Sequence, residues 1–113
     1  MNGITTHVLD TAQGRPASGV PVSLEVRAED GGWKEIGRSA TDDDGRAVLL
    51  TSRSEVRRGV YRISFDTGAY FLATNREGFF PEARIVFELR EPSPRCHVPL
   101  LLSPYGYSTY RGS

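Results

Sequence analysis

Two imidazoles and one guanidinium carry most of the chemistry in this 113-residue chain. His7 stands in "THVLD", His97 in "CHVPLLL", and Arg46 directly follows a "DDDG" turn. Imidazole exchanges protons near neutral pH. A guanidinium offers a forked donor set that can clamp an anionic ligand. The sequence closes on "STYRGS", where Tyr110, Arg111 and Ser113 crowd a ring, a second guanidinium, a hydroxyl and a carboxylate into a few positions. Each feature also has a bland reading: unrelated strand histidines, a solvated charge, a frayed tail.

The elements that would position these groups are short and β-rich. In "VPVSLEVRA" (20–28), Val20, Val22, Leu24 and Val26 alternate with polar residues, the pattern of a half-buried strand. Similar segments are expected over 4–10, 33–41, 46–51, 60–65, 84–89, 95–102 and 105–111, with turn residues between them. One short helix is expected over 66–78, with Thr67 as its N-cap, Tyr70, Phe71 and Leu72 inside, and Gly78 at its stop. Strands at this spacing predict an all-β, antiparallel β-sandwich of immunoglobulin-like proportions, a single domain over 1–113.

Alternation also sorts the faces. Cys96, Val98, Leu100 and Leu102 share the expected core side, leaving His97, Pro99 and Leu101 on the other. His7 shares its side with Thr5 and Leu9. Pro99 suggests an edge strand or a bulge. Tyr105 and Tyr107 fall on one face, Ser108 and Tyr110 on the other. Cys96 lies opposite His97, so a Cys–His nucleophilic pair is not expected. From spacing alone the sequence supports a β-sandwich with a candidate His/Arg site.

Several classes are excluded. No P-loop, GxGxxG, GxSxG, HExxH or CxxC motif occurs. "TDDDGRAVLLT" fails as a calcium loop, because placing Gly45 sixth puts Ala40 first and Thr51 twelfth. Fourteen basic and fourteen acidic side chains cancel and are interspersed, which argues against nucleic acid or an anionic membrane as partner. The single cysteine forms no internal disulfide. The opening "MNGITTHVLD" lacks a secretory pattern, so the expected location is cytoplasmic.

Longer stretches resemble one family. "THVLDTAQGRPASGVPVSL" and "HVPLLLSPYGYSTYRGS" are similar to the N- and C-terminal signatures of transthyretin-like proteins, the latter in the version carried by 5-hydroxyisourate hydrolases. "TDDDGRA", "YRISFDTGAYF" and "FFPE" fall between them in the family's order. The resemblance implies a transthyretin (prealbumin)-like sandwich of two four-stranded sheets with one short helix. It also implies a homotetramer, a dimer of dimers with sites at the dimer–dimer interface. Hormone carriers of the family have Lys at the position of His7 and Thr at that of His97, and lack "YRGS". This chain has His7, Arg46, His97 and "YRGS". It departs from the family's pattern at Cys96, where a bulkier aromatic is more usual.

The implied reaction is hydrolysis of the N1–C6 cyclic amide bond of 5-hydroxyisourate in urate degradation, with no cofactor. The ring-opened product is 2-oxo-4-hydroxy-4-carboxy-5-ureidoimidazoline, on the way to allantoin. The resemblance assigns catalysis to His7, His97 and Arg46, and substrate binding to these with Tyr110, Arg111 and Ser113. Two histidines without a third ligand are too few for a standard zinc site, so no metal is expected. The alternatives are a small-ligand carrier without catalysis and a structural or adhesion module on the same sandwich.

Overall fold

The computed structural model describes residues 2–113. Among them are nine strands and one helix: β1 (Asn2–Asp10), β2 (Arg15–Pro16), β3 (Pro21–Arg27), β4 (Trp33–Ala40), β5 (Arg46–Ser52), β6 (Gly59–Phe65), α1 (Thr67–Ala73), β7 (Ala83–Leu89), β8 (Arg95–Ser103) and β9 (Gly106–Thr109). The strands form two sheets, and the alternation seen in the sequence decides which face of each is dry. Ile4, Val8, Leu24, Ile63, Phe65 and Leu100 are completely buried between the sheets.

The first sheet is built around β1. β8 lies on one flank with β9 beyond it, while β5 and the two-residue β2 share the other. That sheet therefore holds five strands, because β5 ends at the level of His7 and the chain after β1 folds back to pair Leu9 with Pro16. The second sheet runs β4-β3-β6-β7. Every pairing is antiparallel except β1–β8, which is parallel.

Two local devices set the phase of the first sheet. Between Ile4 and Thr5 the β1–β5 register shifts by one residue, from Ile4↔Leu50 to Thr5↔Val48, leaving Leu49 as an extra residue of β5. At this bulge β5 crowds β1: a Cβ on Gly3 would fall 1.9 Å from the Leu50 carbonyl oxygen, a space only glycine leaves free. Pro99 occupies an inner strand, at neither the edge nor the bulge expected of it. The Gly112 N–H and the Thr109 hydroxyl donate to the carbonyls of His97 and Pro99, so alternate residues of β8 turn their polar backbone towards β9. The missing N–H of Pro99 falls at Tyr110, where the ladder lapses before resuming at the His97–Gly112 bridge.

The helix is shorter than expected and differently capped. The Asp66 carboxylate, not Thr67, accepts the capping bond, from the Ala69 N–H at 3.0 Å. Thr67 is buried and donates its hydroxyl to the Phe80 carbonyl at 2.6 Å. Tyr70 and Phe71 are buried as expected, but Leu72 is 79% exposed, because a helix this short turns only one face to the sheets. It ends at Ala73 with Thr74 as C-cap, before reaching Gly78. A buried network ties it down: Asp10 accepts hydrogen bonds from the Tyr70 hydroxyl, the Arg76 guanidinium and the Gln13 backbone N–H. Among the described residues no helix is long and apolar enough to cross a membrane.

Candidate active site

The outward face of β1, β5 and β8 gathers three of the predicted side chains, His7, Arg46 and His97. His7 is the Cα partner of Arg46 on β5 and of Pro99 on β8, while Thr5 is the partner of His97. Odd-numbered residues of β1 and β8 share this face, so the two histidines stand diagonally across the parallel ladder. A cleft of about 450 Å³ opens beside them, lined by Arg46, His97 and Ser113 together with Thr5, Asp42 and Arg95. That volume suits a small-molecule ligand.

The turn before Arg46 sets its position. Asp42 Oδ1 accepts from the N–H groups of Asp44 and Arg46, both at 2.9 Å, so an Asx-type turn delivers the guanidinium at the strand start. The same turn holds His7: its Nε2–H donates to the Asp44 carbonyl at 2.8 Å. A carbonyl only accepts, so Nε2 carries the proton and Nδ1 is left as the free nitrogen. His97 is tied the other way round. Its Nδ1 shares a 2.8 Å hydrogen bond with Thr5 Oγ1, leaving Nε2 uncommitted.

Electrostatics keep His97 neutral at neutral pH. Partial burial lowers its pKa below the ordinary 6.5, the positive Arg46 and then His7 push it the same way, and a backbone hydrogen bond at Thr5 offsets only part of this. A neutral imidazole beside a fixed cation can take up a proton while the cation draws negative charge. The arrangement fits attack by water on a carbonyl.

These sequence features have counterparts among known proteins. Residues 4–112 match the HIUase/Transthyretin family. The chain belongs to that family. It is 45% identical to a 5-hydroxyisourate hydrolase of Salmonella dublin, over 99% of this chain and 82% of the relative. It is 43% identical to a 5-hydroxyisourate hydrolase of Mus musculus, over 97% and 94%. Among solved structures, Klebsiella pneumoniae 5-hydroxyisourate hydrolase superposes with a TM-score of 0.81 at 36% identity, over 97% of this chain and 98% of that one. Sea bream transthyretin in complex with thyroxine superposes with a TM-score of 0.87 at 32% identity, over 96% and 93%. A hydrolase and a transthyretin thus both superpose on this chain, and the fold alone does not choose between them.

Not every HIUase/transthyretin position named from the sequence joins the cleft: His7 stands on the same face beside Arg46 but does not line it. Tyr110 and Arg111 line a second, smaller groove of about 270 Å³, with Phe87, Leu89, Cys96 and Val98. Arg111 acts electrostatically on Cys96, on the far side of β8 from the His97 ring. Burial pushes the Cys96 thiol up, and Arg111 offsets this only in part, so Cys96 is a buried apolar side chain and not a nucleophile.

The groups that hold the named ones carry weak signals in the sequence. Thr5 was already visible as a face-mate of His7, but its role rests on the parallel β1–β8 pairing, a contact 92 residues apart in sequence. Asp42 reads as one acidic residue in a turn, and its hold on Arg46 appears only with the turn's geometry.

Proposed function

We propose that this chain hydrolyses 5-hydroxyisourate, opening the N1–C6 amide to give 2-oxo-4-hydroxy-4-carboxy-5-ureidoimidazoline. The observation that carries the reading is the meeting of His97, Arg46 and His7 on one sheet face beside a cleft. It agrees with the names of full-length relatives at 43–45% identity. A carrier would need neither a neutral imidazole with a free nitrogen nor a cation poised beside it.

In this reading Arg46 docks the oxygen-rich substrate and stabilises the negative oxygen formed at C6. The free nitrogens, Nε2 of His97 and Nδ1 of His7, divide the proton traffic. One takes the proton from the attacking water, and a proton returns to N1 as the C6–N1 bond breaks. No electrons change hands, and the step consumes only water. Ser113 at the cleft wall fixes the substrate's edge.

The proposal extends to a homotetramer, a dimer of dimers. Val48, 55% exposed, and the partly exposed Leu9 and Leu101 give the site-bearing sheet apolar surface for a second copy to cover. Tyr110 and Arg111 face another groove in the single chain, so they reach substrate only where a neighbouring copy brings it to them.

The deciding experiment generates 5-hydroxyisourate from urate in a cuvette and follows its ultraviolet absorbance. Added protein should accelerate the decay well beyond the spontaneous rate. Decay at the background rate would overturn the assignment.

A further inference from the structure

The imidazole of His97 is gripped on both sides of its attachment atom. Nδ1 and Cδ2 flank Cγ, and each meets a different part of the chain. On the Nδ1 side stands Thr5 Oγ1 at 2.8 Å. On the Cδ2 side lies Gly112, so close that a Cβ built there would fall 2.6 Å from Cδ2 and 3.3 Å from Cγ. The same glycine donates its N–H to the His97 carbonyl at 2.7 Å. Backbone and ring of one residue are thus held by one neighbour.

Gly112 is not needed for its backbone freedom. The glycines with positive φ are Gly14, Gly19, Gly31 and Gly45, and Gly112 is not among them. The requirement for glycine there is steric, and what it spares is the His97 ring. The χ2 torsion of histidine is broad and roughly two-fold, so an unrestrained ring would tilt and flip. Here a tilt towards the tail meets Gly112. A flip would exchange Nδ1 for a carbon opposite the Thr5 hydroxyl, losing that hydrogen bond.

We infer that Thr5 and Gly112 are positioning residues, a two-sided brace that fixes the His97 ring so that Nε2 faces the cleft of Arg46 and Ser113. The brace rests on the hydrolase reading for its effect on rate, though not for its effect on the ring. It gives the "YRGS" segment a task distinct from substrate contact: pairing in register with β8 brings a residue without a side chain against the imidazole edge. Gly112→Ala leaves every polar group of the site in the sequence and changes only the room beside the ring.

The test compares the intact protein with Gly112→Ala, Thr5→Val and Thr5→Ser, reading steady-state hydrolysis and the long-range 1H–15N spectrum of the imidazoles. With two histidines in the chain, one His7→Gln control assigns both. Gly112→Ala and Thr5→Val should each lower kcat about 10-fold or more while KM stays within about 3-fold, since small misplacements of a catalytic group cost this much. Thr5→Ser should recover most of the rate. Gly112→Ala should move the His97 ring signals and leave those of His7 in place.

Unchanged His97 signals with full kcat in Gly112→Ala would overturn the brace, as would Thr5→Ser performing no better than Thr5→Val. If Gly112→Ala strips the tail from β8, the Thr5 pair decides alone. If the unaltered protein fails to hydrolyse 5-hydroxyisourate, the functional reading falls, and the ring signals still decide the brace.

Discussion

His7 and Arg46 stand directly opposite each other across the β1–β5 ladder. Opposed residues on one antiparallel face bring their Cβ atoms within roughly 4.5–5.5 Å. The Asp42–Gly45 turn fixes both, through the Arg46 backbone and the His7 ring. Imidazole and guanidinium therefore form one unit with His97 beside it. Substituting His7, His97 or Arg46 singly by Ala should lower kcat on the order of 10²-fold or more. Thermal melts should stay within a few degrees, since none of the three belongs to the apolar core. Near-normal turnover in all three would remove the site from consideration.

The depressed pKa of His97 has a definite sign. Burial contributes most, then the Arg46 charge, then His7. Asp42 also lines the cleft and supplies a nearby carboxylate. Replacing Arg46 by Gln removes a lowering influence, so an NMR titration should show the His97 pKa rise towards 6.5. A fall, or no change, would contradict the placement of Arg46. The folded protein takes up this proton less readily than the unfolded chain does. His97 thus costs no stability above about 6.5 and destabilises progressively as pH falls below that value.

Asp10 should stabilise the fold more than a surface carboxylate does. Its side chain is fully buried, and it pairs with Arg76 and Tyr70. Burial pushes its carboxyl up, but the hydrogen bonds from Arg76, Tyr70 and the Gln13 backbone outweigh that and hold it below the usual value of 3.8. Its stabilisation is fully present above pH 3.8 and drains away as pH falls through the lower folded-state value. Asp10→Asn should cost about 3 kcal/mol in urea denaturation at pH 7, because Arg76 loses its buried partner. A cost below about 1 kcal/mol would mean that the network is ornamental to the fold.

Cys96 should be chemically quiet. In the native protein iodoacetamide should label it far more slowly than in urea, and Cys96→Ala should keep kcat within about 2-fold, since a protonated, buried thiol neither attacks nor binds. Rapid labelling that abolishes turnover would reopen the question of the nucleophile.

Much of this was legible in advance because strand alternation is a local property. The core side of β8 follows from the spacing of Cys96, Val98, Leu100 and Leu102, all now buried. His7 and His97 follow as outward residues by the same count. What alternation cannot give is which strand lies beside which. The parallel β1–β8 pairing, the interior place of Pro99 and the hand-hold of Thr5 on His97 are all long-range facts. The helix cap was misplaced by one residue for a related reason. Asp66 and Thr67 are both good caps by type, and the tertiary bond from Thr67 to the Phe80 carbonyl decides between them.

The extra residue at Leu49 sets the phase of β5 on both of its sides. Between the Asp42–Gly45 turn and Leu49, an inserted residue would rotate Arg46 from the cleft to the core, because a one-residue slip exchanges the faces of a strand. Leu50, Thr51 and Ser52 are likewise held in register, against Ile4, Gly3 and Asn2, so an added residue leaves the ladder untouched only in the loop beyond Ser52. Natural variants of this chain should therefore differ in length after Ser52 and keep a constant count before it.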